Sequence, residues 1–157
     1  MSSIEFPSLS QVDPNALMSV LNEDVLRVHL VDHDYFDAES IRAWVEGKTK
    51  VDAQPGCRIR AVQIDGDVAG WCGIEPDDGS FELSIVIAQR FWGSGLSIFR
   101  TLVKWADELE HKEVLFRLLD SRREYKMLKK MAKRVDQSEW SGRQFTTYHF
   151  SVEQLLA

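Results

Sequence analysis

The sequence predicts an α/β fold, of the α+β kind: a mixed, mainly antiparallel central sheet flanked by helices. Three observations carry this. Residues 57–63 and 68–74 are short apolar-rich runs on either side of Asp65-Gly66, the strongest short hairpin signal. Residues 36–47 and 96–109 repeat apolar side chains at helical spacing. Residues 81–109 (FELSIVIAQRFWGSGLSIFRTLVKWADEL) read as strand, glycine turn and amphipathic helix in immediate succession.

In chain order, residues 1–14 form a loose start with room for one short strand. Asp13 and Pro14 suit a helix cap and first turn, and Ala16, Leu17, Val20 and Leu21 follow at helical spacing. Residues 25–30 (VLRVHL) fit helix or strand, and Asp32-His33-Asp34 reads as loop. The helix from Phe36 is capped by Asp37, with Ser40 as capping partner. It turns Ile41, Trp44 and Val45 inward and is expected to end at Gly47. Residues 48–56 connect it to the hairpin. Pro76-Asp77-Asp78-Gly79 then turns the chain into a strand in which Leu83, Ile85 and Ile87 alternate with Ser84 and Val86. Ser94 is the expected cap of the next helix, whose inner stripe is Leu96, Phe99, Leu102, Val103, Ala106 and Leu109. Residues 114–119 form another apolar strand. Asp120 or Ser121 caps a helix predicted over residues 122–134, with Tyr125, Leu128, Met131 and Val135 inward and Arg122, Lys126, Lys129, Lys130 and Lys133 outward. Residues 137–140 and 144–150 suggest a closing hairpin across Ser141-Gly142.

One domain over residues 1–157 is the natural organisation for this length. With 44% apolar and 28% charged residues, the chain is globular in type and long enough for a real core. No apolar run approaches the roughly 20 residues of a membrane span, and no charged-then-apolar leader opens the sequence. A cytoplasmic location without a membrane partner is the expectation. Cys57 and Cys72 lack CxxC spacing and are expected as free thiols. His29, His33, His111 and His149 have no HExxH or other close ligand spacing, so no metal is expected. The net charge of −6 is uneven: residues 1–56 hold ten Asp/Glu against four Lys/Arg. An acidic first third suits a cationic amine and argues against a nucleic-acid partner, although solubility alone explains it as well. The basic side of residues 122–134 reads as a solvated helix face. Nothing here sets the oligomeric state; a homodimer is left open.

Two glycines at a strand-to-helix junction admit close backbone approach and expose first-turn N–H groups, an anion site suited to a pyrophosphate. The junction is neither a Walker loop nor GxGxxG. Phe91-Trp92-Gly93-Ser94-Gly95, after a strand with Glu82 near its start, resembles the pyrophosphate loop of the GNAT family of N-acetyltransferases, whose signature is Arg/Gln-x-x-Gly-x-Gly/Ala. Arg90 through Gly95 matches letter for letter. Trp92-Gly93-Ser94-Gly95-Leu96-Ser97 departs at Trp92 and Ser97 but better matches the family's spacing from a strand end at Ile87, and is the preferred register. NEDVLRVHL, FDAESIRAWVEG, RIRAVQIDGDVAGWCGI and FWGSG, in that order, are similar to the branch that includes the ribosomal-protein N-terminal acetyltransferases, across residues 15–110 by pattern.

The resemblance implies an N-acetyltransferase that uses acetyl-CoA as co-substrate and no metal. It would transfer the acetyl group directly to a primary amine, on a small molecule or on a peptide or protein N-terminus. The alternative is a non-catalytic acyl-CoA-binding or partner-binding module on the same fold. By resemblance, backbone groups near Ile85, Val86 and Ile87 would hold the pantetheine arm. Gly93, Ser94, Gly95, Leu96 and Ser97 hold the pyrophosphate, flanked by Arg90 and Trp92, with Ser121 at the family's usual Asn position. Amine acetylation needs a proton acceptor and a polarised carbonyl. Glu82 is the candidate general base, against the equal alternative of a rim carboxylate or substrate ion pair; Glu75, Asp34 and His33 are weaker choices. The family often carries a tyrosine acid on the helix after the fifth strand. Here that position falls on Leu128, and Tyr125, one turn earlier, is the candidate acid. Ala132-Lys133-Arg134-Val135 replaces the family's Gly-Phe. Trp71 is expected in hairpin packing, and Trp92 over the co-substrate or docking the turn.

Overall fold

The computed structural model describes residues 3–28, 34–119, 126–140 and 142–157. They form one seven-stranded sheet in the order β1-β2-β3-β4-β5-β7-β6. The strands are β1 Ile4–Glu5, β2 Arg58–Ile64, β3 Asp67–Asp77, β4 Ser80–Ile87, β5 Glu113–Leu119, β6 Arg134–Trp140 and β7 Arg143–Ser151. The helices are α1 Pro14–Leu21, α2 Asp24–Arg27, α3 Ala38–Asp52, α4 Gly95–Glu108, α5 Lys126–Met131 and α6 Val152–Leu156, with 3₁₀ turns at Leu9–Gln11 and Gln89–Ser94. Only β4 and β5 pair parallel; all other neighbours are antiparallel. The mixed, mainly antiparallel sheet flanked by helices is therefore found as expected.

The β2–β3–β4 meander rests on two tight turns. Asp65 and Gly66 have φ of 52° and 87°, and Asp78 and Gly79 have 45° and 85°. Paired left-handed residues match the right-handed twist of the strands they join. The second turn is shorter than expected, because Pro76 and Asp77 belong to β3, opposite Phe81 and Ser80. β2 ends its pairing at Arg58↔Ile74, so the N–H that Pro76 lacks has no ladder partner to lose.

Asp13 Oδ1 accepts from Asn15 N–H at 2.9 Å and opens α1, and Asp37 with Ser40 forms a capping box on α3. Helix α3 does not stop at Gly47 but runs to Asp52. An internal glycine costs about 1 kcal/mol; the contacts of the following turn, Lys48 with Glu75 and Asp52 with Arg60, lie on the sheet it covers. The predicted helix 122–134 is also corrected: α5 ends at Met131, and Arg134 and Val135 already belong to β6, opposite His149 and Tyr148. Asp120, Ser121, Arg122 and Tyr125 lie outside the described residues, as do His29, His33 and Ser141.

The sheet carries a core on each face. On one side Ile98, Phe99, Leu102, Val103 and Ala106 of α4 pack with Leu83, Ile87, Tyr148 and Phe150. On the other, Leu17, Val20 and Leu21 of α1 and Ile41 of α3 pack with Ile59, Ala61, Trp71 and Val86. Leu96, assigned to the inner stripe of α4, is exposed, because it lies in the first helical turn before the helix crosses the sheet; Ile98 is buried instead. Cys57 and Cys72 are buried free thiols. Among the described residues no helix is long and apolar enough to cross a membrane.

Candidate active site

Strand β4 meets β5 at a single register position, Glu82↔Leu115. Past it, residues 83–87 and 116–119 run on in the same direction without pairing, so the sheet splits. The Ala88 N–H donates to the Ala69 carbonyl at 2.8 Å, which sets the parity of the β3–β4 ladder. Even-numbered residues of β4 bond to β3, and odd-numbered residues turn N–H and C=O toward β5. Ile85 therefore presents both backbone groups to the split. Ile87 presents its N–H, while its carbonyl accepts the Trp92 indole Nε1–H at 3.0 Å. The backbone of Val86, which lies between them, faces Trp71 on β3.

The glycine turn follows directly on the unpaired end of β4. β4 ends at Ile87, the strand end assumed by the preferred register. Residues 89–94 then form a 3₁₀ turn rather than an open loop, and α4 begins at Gly95. Ser94 is the N-cap residue as expected, but its side chain makes no capping bond. The Gly95 N–H is already used by the Trp92 carbonyl. Neither Gly93 nor Gly95 has a positive φ, and a Cβ built on either meets nothing within 4 Å. Glycine is thus not required there by backbone conformation or by packing within the chain; it leaves bare backbone beside the open space. Leu96 and Ser97 are exposed on the same first turn. Arg90 lies to the side, 3.5 Å from Asp67 and stacked 4.2 Å over Phe91.

Glu82 stands at the apex of the split. Leu83 points to the α4 side, so Glu82 points to the α1–α3 side, with 27% of its side chain exposed. Glu75 is directly opposite on β3. Lys48 Nζ holds both Glu75 oxygens, at 2.9 and 2.8 Å, and lies 4.6 Å over the Trp71 ring. From β5, Arg117 Nη1 reaches to 3.7 Å from Glu82 Oε2 and also donates to Asp77. Burial pushes the Glu82 carboxyl up to about 7; Arg117 pulls it down, and Asp77 and Glu75 push it further up. A carboxylate that titrates near neutrality in a cleft can take a proton from an ammonium and release it again.

The structure thus places Glu82, Ile85 and Ile87 along the unpaired edge of β4, with Trp92, Gly93 and Gly95 in the turn and helix start that follow it. Of the weaker alternatives for a base, Glu75 is held by Lys48, Asp34 is exposed at the edge of the described chain, and His33 lies outside the described residues. The candidate acid Tyr125 and the Asn-like Ser121 lie outside the described residues. Tyr148 is buried in the core on the α4 side, and Tyr35 donates to Asp24, so neither described tyrosine lies at the apex. Trp71 packs its edge on Trp44, as expected of a hairpin residue, and Trp92 docks the turn. Sequence reasoning missed Lys48, Asp77 and Arg117. Arg117 alone left a signal: a single charge inside the apolar run Val114-Leu115-Phe116-Arg117-Leu118-Leu119.

No family model and no curated protein matches this sequence. Solved structures do match its fold. A probable acetyltransferase of the GNAT family from Chromobacterium violaceum superposes with a TM-score of 0.68 at 16% identity, covering 99% of this chain and 90% of its own. An N-acetyltransferase from Staphylococcus aureus Mu50 gives 0.70 at 14%, covering 97% and 99%. The yncA structure from Salmonella typhimurium, assigned as an acetyltransferase and solved with its cofactor acetyl-CoA, gives 0.66 at 15%, covering 97% and 94%. The ribosomal-protein branch finds no support among them. At these identities the likeness is one of architecture: the chain has the fold of GNAT-family acetyltransferases.

Proposed function

We propose that the protein is an acetyl-CoA-dependent N-acetyltransferase acting on a primary amine. The observation that carries this reading is the strand edge left open between β4 and β5, with a carboxylate of raised pKa at its apex. An open edge offers alternating N–H and C=O groups to an extended, amide-bearing chain such as a pantetheine arm. Ile85 and the Ile87 N–H would hold that arm. The first turn of α4, with the bare backbone of Gly93 and Gly95, would hold the pyrophosphate.

When bound, the thioester supplies the acetyl group: the amine nitrogen bonds to its carbonyl carbon, the C–S bond breaks, and sulfur leaves with the electron pair. Glu82 takes the proton that the amine loses and returns it to solvent or to the departing thiolate. Trp92, fastened to Ile87, keeps the turn closed over the strand end. The acid role stays unassigned among the described residues. That gap is what favours the second reading, acyl-CoA binding without turnover.

A thermal melt with acetyl-CoA and with CoA tests the binding half, since a ligand of the native state raises the midpoint by mass action. Gly95→Trp is the matching variant, because the protein leaves that position open; it is expected to fold and to lose the shift. Thiol release with a panel of amines tests the transfer half. A strong CoA shift with no turnover on any amine decides for the second reading, and no shift at millimolar ligand removes both.

A further inference from the structure

The surroundings of Arg117 narrow the acceptor, given the acetyl-transfer reading above. Its Nη1 serves Asp77 and approaches Glu82, but its Nε and Nη2 have no partner among the described residues, and a third of the side chain is exposed. An arginine presents its donors as a rigid fork, and a free edge of that fork matches the two oxygens of a carboxylate. Directly opposite on β7 and on the same face is Thr147, buried to 3% exposure, whose hydroxyl makes no hydrogen bond among the described residues. An arginine edge without a partner among the described residues, on the sheet face that also carries Thr147, is a place for an anion. The other carboxylates nearby are already engaged: Asp77 by Arg117, and Asp136 by Arg134 at 3.1 Å and His149 at 2.9 Å.

The Arg117–Glu82 contact is longer than a hydrogen bond, which leaves both groups able to take a second partner of opposite charge. A cation and an anion held 3.7 Å apart are complementary to a small molecule carrying an ammonium and a carboxylate on one carbon. We propose that the acceptor is a free α-amino acid, its carboxylate on the open edge of Arg117 and its amino group on Glu82. The product is then an N-acetyl amino acid and free CoA, with the amine proton passing to Glu82. A peptide or protein N-terminus has an amide where this site expects a carboxylate.

The test compares the twenty L-amino acids with their carboxamides, by thiol release and by calorimetric titration into the CoA-loaded protein. The accepted amino acid is expected to exceed its own amide by about tenfold or more in kcat/KM, because a site built for a polar group discriminates against its loss. It is also expected to bind where the amide does not. Arg117→Gln should bring that ratio close to one while the CoA-induced rise in melting midpoint persists. Arg117→Lys, which keeps the charge and loses the fork, should give an intermediate ratio and serves if the glutamine variant does not fold. Amides used as well as acids, an unchanged ratio in Arg117→Gln, or CoA binding with no amino acid bound would overturn the proposal and leave the acetyl-transfer reading standing. Absence of any CoA-induced rise would instead remove that reading, and this inference with it.

Discussion

Around Glu82, strand β4 has β3 on one side and β5 on the other; from Ser84 to Ile87 it has β3 alone. The side chains do not report this change. Leu83 before it and Val86 and Ile87 after it are all buried. What differs is the backbone. In the first stretch the ladder uses it on both sides, and in the second one side is free to take a ligand. Burial of side chains and satisfaction of backbone groups are separate quantities, and a binding edge is where they part.

Four substitutions break or sharpen that contrast. The largest effect is expected at Gly70, opposite Ile87 with φ of +152°, where an added Cβ would meet the Val86 carbonyl oxygen at 1.9 Å. Gly70→Ala forces β3 away from the half of β4 that has no other neighbour, and should cost about 3 kcal/mol. Urea unfolding measures this, and an unchanged midpoint would show that the open half does not depend on β3. Glu82→Gln comes next. It should lower kcat by about a hundredfold or more and abolish the rise of rate with pH through about 7, where the raised carboxyl ionises.

The same group has a stability signature. Its folded pKa lies above the ordinary 4.5, so its contribution is fully present below that value and is lost as pH climbs toward 7. Melts from pH 4 to 8 should flatten in the glutamine variant. Trp92→Phe removes the bond to the Ile87 carbonyl, costing about 1 kcal/mol and weakening CoA binding several-fold in a calorimetric titration. Asp13→Ala should cost about 1 kcal/mol or less through loss of a cap, with the CoA-induced midpoint rise intact. The last two are similar in stability and opposite in ligand effect, which separates the open edge from the rest of the fold.

Much of this was legible in local chemistry. Asp65-Gly66 specified its hairpin because few residues tolerate two successive left-handed conformations. Asp13-Pro14 and Asp37 through Ser40 marked helix starts because capping is satisfied within a few residues. Glu82 followed from period-two alternation beside Leu83. The errors share a cause. Gly47 has the propensity of a stop, which sheet contacts outweigh, and Arg134 and Val135 continue a helical pattern until pairing with β7 claims them.

The sequence by itself determined most of the elements, their order and the residues of the glycine turn, since these depend on neighbours a few positions away. Tertiary structure alone decided that β5 touches β4 at one register position and that Val86 faces inward to β3 while Ile85 faces the opening. It also decided that Arg117, 35 positions after Glu82, stands 3.7 Å from it. The reason is physical: ladder parity, strand divergence and the field around a carboxylate are properties of the assembled sheet, and no local stretch of chain encodes them.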